Sequence, residues 1–117
     1  MTEHESHVAG VTVVQNDPQA SNASWQLIYA PGAGSSIADP FGTFACERLA
    51  KLGVPAARFQ FPYQEAGIRR PDRAPVLEAT WLAVIGAVSR EGLKLVISGR
   101  SMGGRFGTIV ASKGAPA

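Results

Sequence analysis

Three short apolar runs, residues 25–30, 54–61 and 93–98, alternate with stretches in which apolar residues recur at helical spacing. This alternation most constrains the fold. Parallel strands cannot be joined by a tight turn, so each needs a crossover long enough to carry the chain back. A strand–helix alternation of this kind specifies a parallel sheet with helices on its faces. The expected class is therefore α/β, a three-layer sandwich with a mostly parallel sheet. Asp39 and Pro40 are placed to cap and open the first helix. Phe41, Phe44, Ala45, Leu49 and Leu52 form its expected apolar face, and Gly53 its stop. A second helix is predicted from Pro75 to Arg90, burying Val76, Leu77, Trp81, Val84, Ile85 and Val88. A third follows residue 101 and fades at Gly114 and Pro116. Val8 to Val14 reads as a first strand or hairpin arm ended by Asn16-Asp17-Pro18. Residues 1–7 read as a flexible polar tail, leaving 8–117 as the domain.

Composition narrows the classes. A chain of 117 residues with 45% hydrophobic and 17% charged residues suits one globular domain. A net charge of +2, with scattered lysines and arginines, is too mild to imply a nucleic-acid partner. The longest apolar run, 81–88, is too short for a bilayer, and the polar, partly acidic start is unlike a signal peptide. No membrane partner and a cytoplasmic location are expected. The single cysteine, Cys46, lies mid-helix and reads as a buried structural thiol. Nothing in the residue pattern calls for a metal or cofactor.

In parallel sheets, ligands bind beyond the carboxyl ends of the strands. Three unusual loops leave from that end: Gly32–Ser36, Pro62–Arg70 and Gly99–Gly103. The last reads Gly-Arg-Ser-Met-Gly between a strand and a helix. There, small residues permit a sharp turn that holds a serine hydroxyl out as a nucleophile. Ser101 is the expected catalytic residue. Attack on a carbonyl builds charge on its oxygen, which two backbone N–H groups stabilise. One belongs to the residue after the nucleophile, Met102. The other should come from Pro31-Gly32-Ala33-Gly34, where proline has no N–H and Ala33 is the favoured donor. Gly32, Gly34, Tyr63 and Arg100 are candidate pocket residues, although Tyr63 could instead cap its loop. Arg69, Arg70 and Arg73 could contact an anionic group or form a solvated surface. A dinucleotide site is a remote alternative. Gly32-x-Gly34 fits its fingerprint, but Ile37 stands at the third glycine and Arg58-Phe59-Gln60 supplies no acid. After Ser101 there is no Asp, Glu or His, and the histidines are His4 and His7. The expectation is a nucleophile whose activating acid and base are absent, in a chain missing later strands. Its last strand, Leu93–Ser98, would then be an exposed apolar edge prone to self-association.

The segments Ala30-Pro31-Gly32-Ala33-Gly34, Asp39-Pro40-Phe41, Arg58-Phe59-Gln60-Phe61-Pro62-Tyr63, Arg69 to Glu78 and Gly99 to Arg105 together resemble the N-terminal half of an α/β-hydrolase. The chain is similar to a small dienelactone-hydrolase-like branch. That branch includes the testis-expressed hydrolase-like proteins and the hydrolase-like subunit of the nonspecific-lethal acetyltransferase complex. The likeness runs from about Trp25 to Ser112. It implies a serine hydrolase acting on a small molecule's ester-like bond. Because some relatives act as scaffolds, it also implies the alternative of a non-catalytic binding module. Relatives often carry His where Pro31 stands, and the acid and histidine of the later strands have no counterpart here.

Overall fold

The computed structural model describes residues 1–116; Ala117, the last residue of the expected domain, lies outside the described residues. Five strands form one sheet: β1 (Thr2–Val8), β2 (Val11–Asp17), β3 (Trp25–Ala30), β4 (Ala56–Phe59) and β5 (Lys94–Gly99), in the order β1-β2-β4-β3-β5. The expected parallel pairing holds for β3 with β4 and β3 with β5. The N-terminal hairpin adds two antiparallel pairs, β1 with β2 and β2 with β4, so the sheet is mixed.

Residues 1–7 are no tail. Thr2 to Val8 pair along their whole length with Val11 to Asp17. Ala9 (φ +51°) and Gly10 (φ +82°) make the two-residue turn between them, in the left-handed conformation that hairpins favour. A charged, polar sequence is what an edge strand carries, because such residues discourage pairing with other chains. The alternation that marks a half-buried strand is therefore missing. Asn16 and the buried Arg58 anchor the hairpin: Arg58 Nη1 donates to Asn16 Oδ1 at 2.9 Å and Asn16 Nδ2 to Glu3 Oε1 at 2.9 Å.

Helices cover both faces. The helices α3 (Ala74–Val88) and α4 (Met102–Ser112) pack on one face, with Leu77, Trp81, Val84 and Val110 against Val13, Ile28 and Phe59. Trp81 is fully buried and meets the Phe59 ring edge-on, centroids 4.9 Å apart. Of the expected buried face of α3, Val76 is the exception and stays exposed. On the other face lies α1 (Pro40–Lys51), whose N-cap Asp39 accepts from Phe41 N–H at 3.2 Å. A short helix, α2 (Pro62–Glu65), interrupts the loop expected from Pro62.

The structure corrects the apolar face of α1. Phe41, Phe44 and Leu52 are exposed, and the residues turned to the sheet are Gly42, Cys46 and Ala50. The cause is Tyr29, a ring on the sheet face beneath the helix. A Cβ at Gly42 would lie 2.6 Å from Tyr29 Cε2, closer than atoms can approach. The ring is held in place, because the Tyr29 hydroxyl donates a hydrogen bond to Asp39 Oδ2. The helix therefore approaches on its small residues and turns its phenylalanines outward.

Among the described residues no helix is long and apolar enough to cross a membrane. The orientation of α1 is open to test. Gly42→Ala should cost about 1–3 kcal/mol in urea unfolding through overpacking against Tyr29. Phe44→Lys should change stability by about 0.5 kcal/mol or less. The opposite order would place the wrong face of α1 on the sheet.

Candidate active site

The turn between β5 and α4 is held in a conformation that serine rarely adopts. Ser101 sits at φ +46°, ψ −114°, a backbone state that costs on the order of 1–3 kcal/mol and persists only where its surroundings enforce it. They do. Arg100 N–H donates to Ala30 O (3.2 Å), tying the turn to the end of β3. Arg105 N–H donates to Ser101 O (2.8 Å) and starts the helix. From below, Trp81 Nε1–H donates to Gly103 O at 3.0 Å. The flanking glycines make this approach possible. A Cβ at Gly99 would fall 2.8 Å from Ala30 O, and one at Gly103 2.6 Å from the same oxygen. Both are contacts with backbone that cannot move aside. Ser101 itself is exposed, and its side chain does not cap the helix it precedes.

The loop after β3 lies against this turn. A Cβ at Gly32 would be 3.8 Å from Ser101 Cβ and 3.5 Å from Arg100 O, so Gly32 brings bare backbone to the serine. Gly32 O accepts from Ser35 N–H at 3.1 Å, which makes Ala33 and Gly34 the corners of a tight turn. Beyond it, the end of β4 and α2 hold the loop in place. Tyr63 OH donates to Ala33 O at 2.6 Å, and Gln64 Nε2 donates to Gly32 O at 2.9 Å. Gln60 Oε1 accepts from Ile37 N–H at 2.9 Å. Two of the three loops expected on one rim thus meet at Ser101, and the third, from Pro62, grips the first through Gly32 O and Ala33 O.

Tyr63 is buried; burial, followed by the Asp72 carboxylate, raises its pKa, so the phenol remains a donor. It borders a cavity of about 410 Å³ shared with Ala33, Gly34, Ser35, Gln64, Gly67, Ile68 and Arg69. Its hydroxyl is spent on Ala33 O, so it braces the loop as well as lining the cavity. Arg100, Arg69, Arg70 and Arg73 are exposed. Cys46 is fully buried, and burial raises its thiol pKa to about 11. Partial burial pushes the Glu65 carboxyl up. Hydrogen bonds from Gln60 and from the backbone and hydroxyl of Thr12, with the nearby His7, outweigh this and hold it below the ordinary carboxylate range. His7 and His4 lie on β1, four strand spacings from β5, or roughly 19 Å at about 4.8 Å per step. Neither can reach Ser101 across that sheet. Among the described residues no cluster of side chains is arranged to hold a metal.

Sequence reasoning missed Gln60 and Gln64, which join the loop after β3 to α2. Their signal was faint: two amides in a segment, 58–63 and beyond, that otherwise alternates large apolar residues.

The α/β hydrolase domain family matches residues 23–117. The chain belongs to that family. Among solved structures, it is similar to a lidless α/β serine hydrolase from Xanthomonas campestris (20% identity, TM-score 0.75), covering 99% of this chain and 58% of that one. It is also similar to a dienelactone hydrolase from Anabaena variabilis (17% identity, TM-score 0.77; 97% and 59% covered). An α/β serine hydrolase homologue from Coxiella burnetii matches at 18% identity and TM-score 0.68, with 99% and 59% covered. The chain therefore spans a little under three-fifths of the length of these relatives, and at such identities the likeness is one of fold. No match was found among curated proteins.

Two measurements check the electrostatics of this α/β hydrolase domain. Cys46 should resist iodoacetamide at pH 8 in the folded chain and react on unfolding, since both burial and the raised pKa suppress the thiolate. The Glu65 carboxylate has a lowered pKa in the folded state, so its stabilisation is present above the ordinary carboxylate pKa and lost as pH falls through the folded value. Glu65→Gln should therefore lower stability at pH 7 and flatten its loss below about pH 4.5. An unchanged acid limb would remove Glu65 from that role.

Proposed function

We propose that Ser101 is the nucleophile of a serine hydrolase acting on an ester-like bond of a small molecule. The observation that carries this is the strained serine at φ +46°, exposed between β5 and α4 with the Gly32–Gly34 turn packed beside it. Ser101 Oγ would attack the carbonyl carbon, and negative charge would gather on the carbonyl oxygen. Met102 is the first residue of α4, where an N–H has no acceptor within the helix, and the helix dipole favours an anion at that end. Its N–H and that of Ala33 are the proposed oxyanion hole, with Gly32, Gly34, Tyr63 and Arg100 around the substrate. The motifs at 30–34, 58–63 and 69–78 support the dienelactone-hydrolase-like branch and its ester-like substrates.

A triad on this fold runs in the order serine, acid, histidine. Residues 102–117 contain neither partner, and His4 and His7 are across the sheet. A complete triad on Ser101 therefore takes its acid and histidine from outside residues 1–117. The second reading, a hydrolase-like binding module without catalysis, rests on the resemblance to relatives that act as scaffolds. Without its base, such a site keeps the modest acceleration of the oxyanion hole and binding alone.

A fluorophosphonate probe separates the readings. Labelling of the 117-residue chain that disappears in Ser101→Ala would establish a nucleophile with a working base. Labelling confined to a polypeptide that continues past residue 117 would place the triad partners there. Absence of labelling in both would favour the binding module. Gly103→Ala should abolish labelling as completely as Ser101→Ala, because its Cβ cannot fit beside Ala30 O.

The edge position of β5, with Val96 exposed, also supports pairing between two copies of this chain through that strand. Sedimentation should show a dimer that Val96→Lys converts to monomer; a monomer in both forms would end this idea.

A further inference from the structure

We propose that Tyr63 and Gln64 are positioning residues that aim the Ala33 and Gly34 N–H groups toward the Ser101 side of the loop. This rests on the hydrolase reading for its purpose, but its geometry stands apart from that reading. In a planar trans peptide, the C=O and N–H point in opposite directions. Fixing one carbonyl therefore aims the next residue's N–H the other way. Gln64 Nε2 holds Gly32 O at 2.9 Å, which turns Ala33 N–H away from α2. Tyr63 OH holds Ala33 O at 2.6 Å, which turns Gly34 N–H away as well. The other side of the loop is the elbow, where Gly32 backs onto Ser101.

The two side chains fix each other. Gln64 Oε1 accepts from Phe61 N–H at 2.9 Å, so the amide cannot flip without losing that bond. Its Nε2 is thereby left facing the loop, with one proton on Gly32 O and the other on the Tyr63 hydroxyl oxygen at 3.1 Å. Accepting that bond leaves the Tyr63 proton for Ala33 O. The same hydroxyl lies 3.8 Å from the sulfur of Met102, whose backbone supplies the other proposed donor. One phenol thus contacts both residues whose backbone N–H groups form the proposed oxyanion hole. Tyr63 N–H is itself held by Asp72 Oδ2 at 2.9 Å, which seats α2 against the loop leading to α3.

The test uses the 117-residue chain in two variants. Tyr63→Phe keeps the buried ring and removes the hydroxyl. Gln64→Glu keeps the shape and replaces the donor facing Gly32 O with a carboxylate oxygen. Nitrogen-15 relaxation should give Ala33 and Gly34 amide order parameters near about 0.85 in the parent and below about 0.6 in both variants. Gly103 should stay rigid throughout. Rigid Ala33 and Gly34 amides in both variants would overturn the proposal. If Tyr63→Phe fails to fold, Gln64→Glu, at a half-buried position, carries the test alone. Where a form of the protein reacts with fluorophosphonate, the maximal inactivation rate should fall about tenfold or more in each variant with the probe's half-saturating concentration unchanged. A weakened half-saturation with an unchanged rate would make these residues pocket walls and overturn the positioning role. Loosened amides with no labelling in any form would sustain the positioning and sink the hydrolase reading. Equal labelling rates in parent and variants would do the reverse.

Discussion

The site depends on one close approach of backbone to backbone, where the turn after β5 presses against the end of β3. Ala30 O accepts from Arg100 N–H and lies within contact of where side chains at 99 and 103 would stand. Only glycine allows the two chains that near. Once they are that near, Ser101 has no relaxed conformation to fall into and is held at positive φ. The strain is therefore a consequence of packing. It is sustained by the buried Trp81 hydrogen bond to Gly103 O and by the core that Trp81 anchors.

A second layer of order surrounds the first. The loop after β3 is built of small residues, with the Ser36 hydroxyl accepting from Ala38 N–H, and much of its shape is borrowed from the segment after β4. Gln60, Tyr63 and Gln64 each bond a different backbone group of residues 32–37. Glu65 then ties that segment to Thr12 of the hairpin and to Gln60. The hairpin, far from Ser101 in the sheet order, thus still bears on the rim through α2. A loop built from glycine and alanine can approach a nucleophile closely because other elements supply its rigidity.

Several features were legible in the residues. Asp39-Pro40 opens α1, the serine turn joins strand to helix, and three loops gather at one rim. Each of these follows from local chemistry: a capping carboxylate, glycines at fixed offsets, and the direction of parallel strands. The misread elements share a different cause. Residues 2–8 carry no apolar alternation because an edge strand is specified by its partner. Phe41 and Phe44 follow helical spacing yet face outward, because Tyr29 leaves no room for a side chain at Gly42, where the helix meets the sheet. Periodicity reports which face is most apolar, and the sheet beneath decides which face fits.

The sequence by itself determined an α/β fold with a serine on a glycine-flanked turn. That information is local, since strand length, helix caps and the offsets of glycines act within a few residues. Tertiary structure alone decided that the sheet is mixed, which face of α1 is buried, and that Tyr63 and Gln64 grip the loop beside Ser101. Those outcomes depend on contacts between residues as far apart in the chain as Ala33 and Tyr63. Steric fit and hydrogen-bond direction across such gaps exist only once the chain has closed on itself.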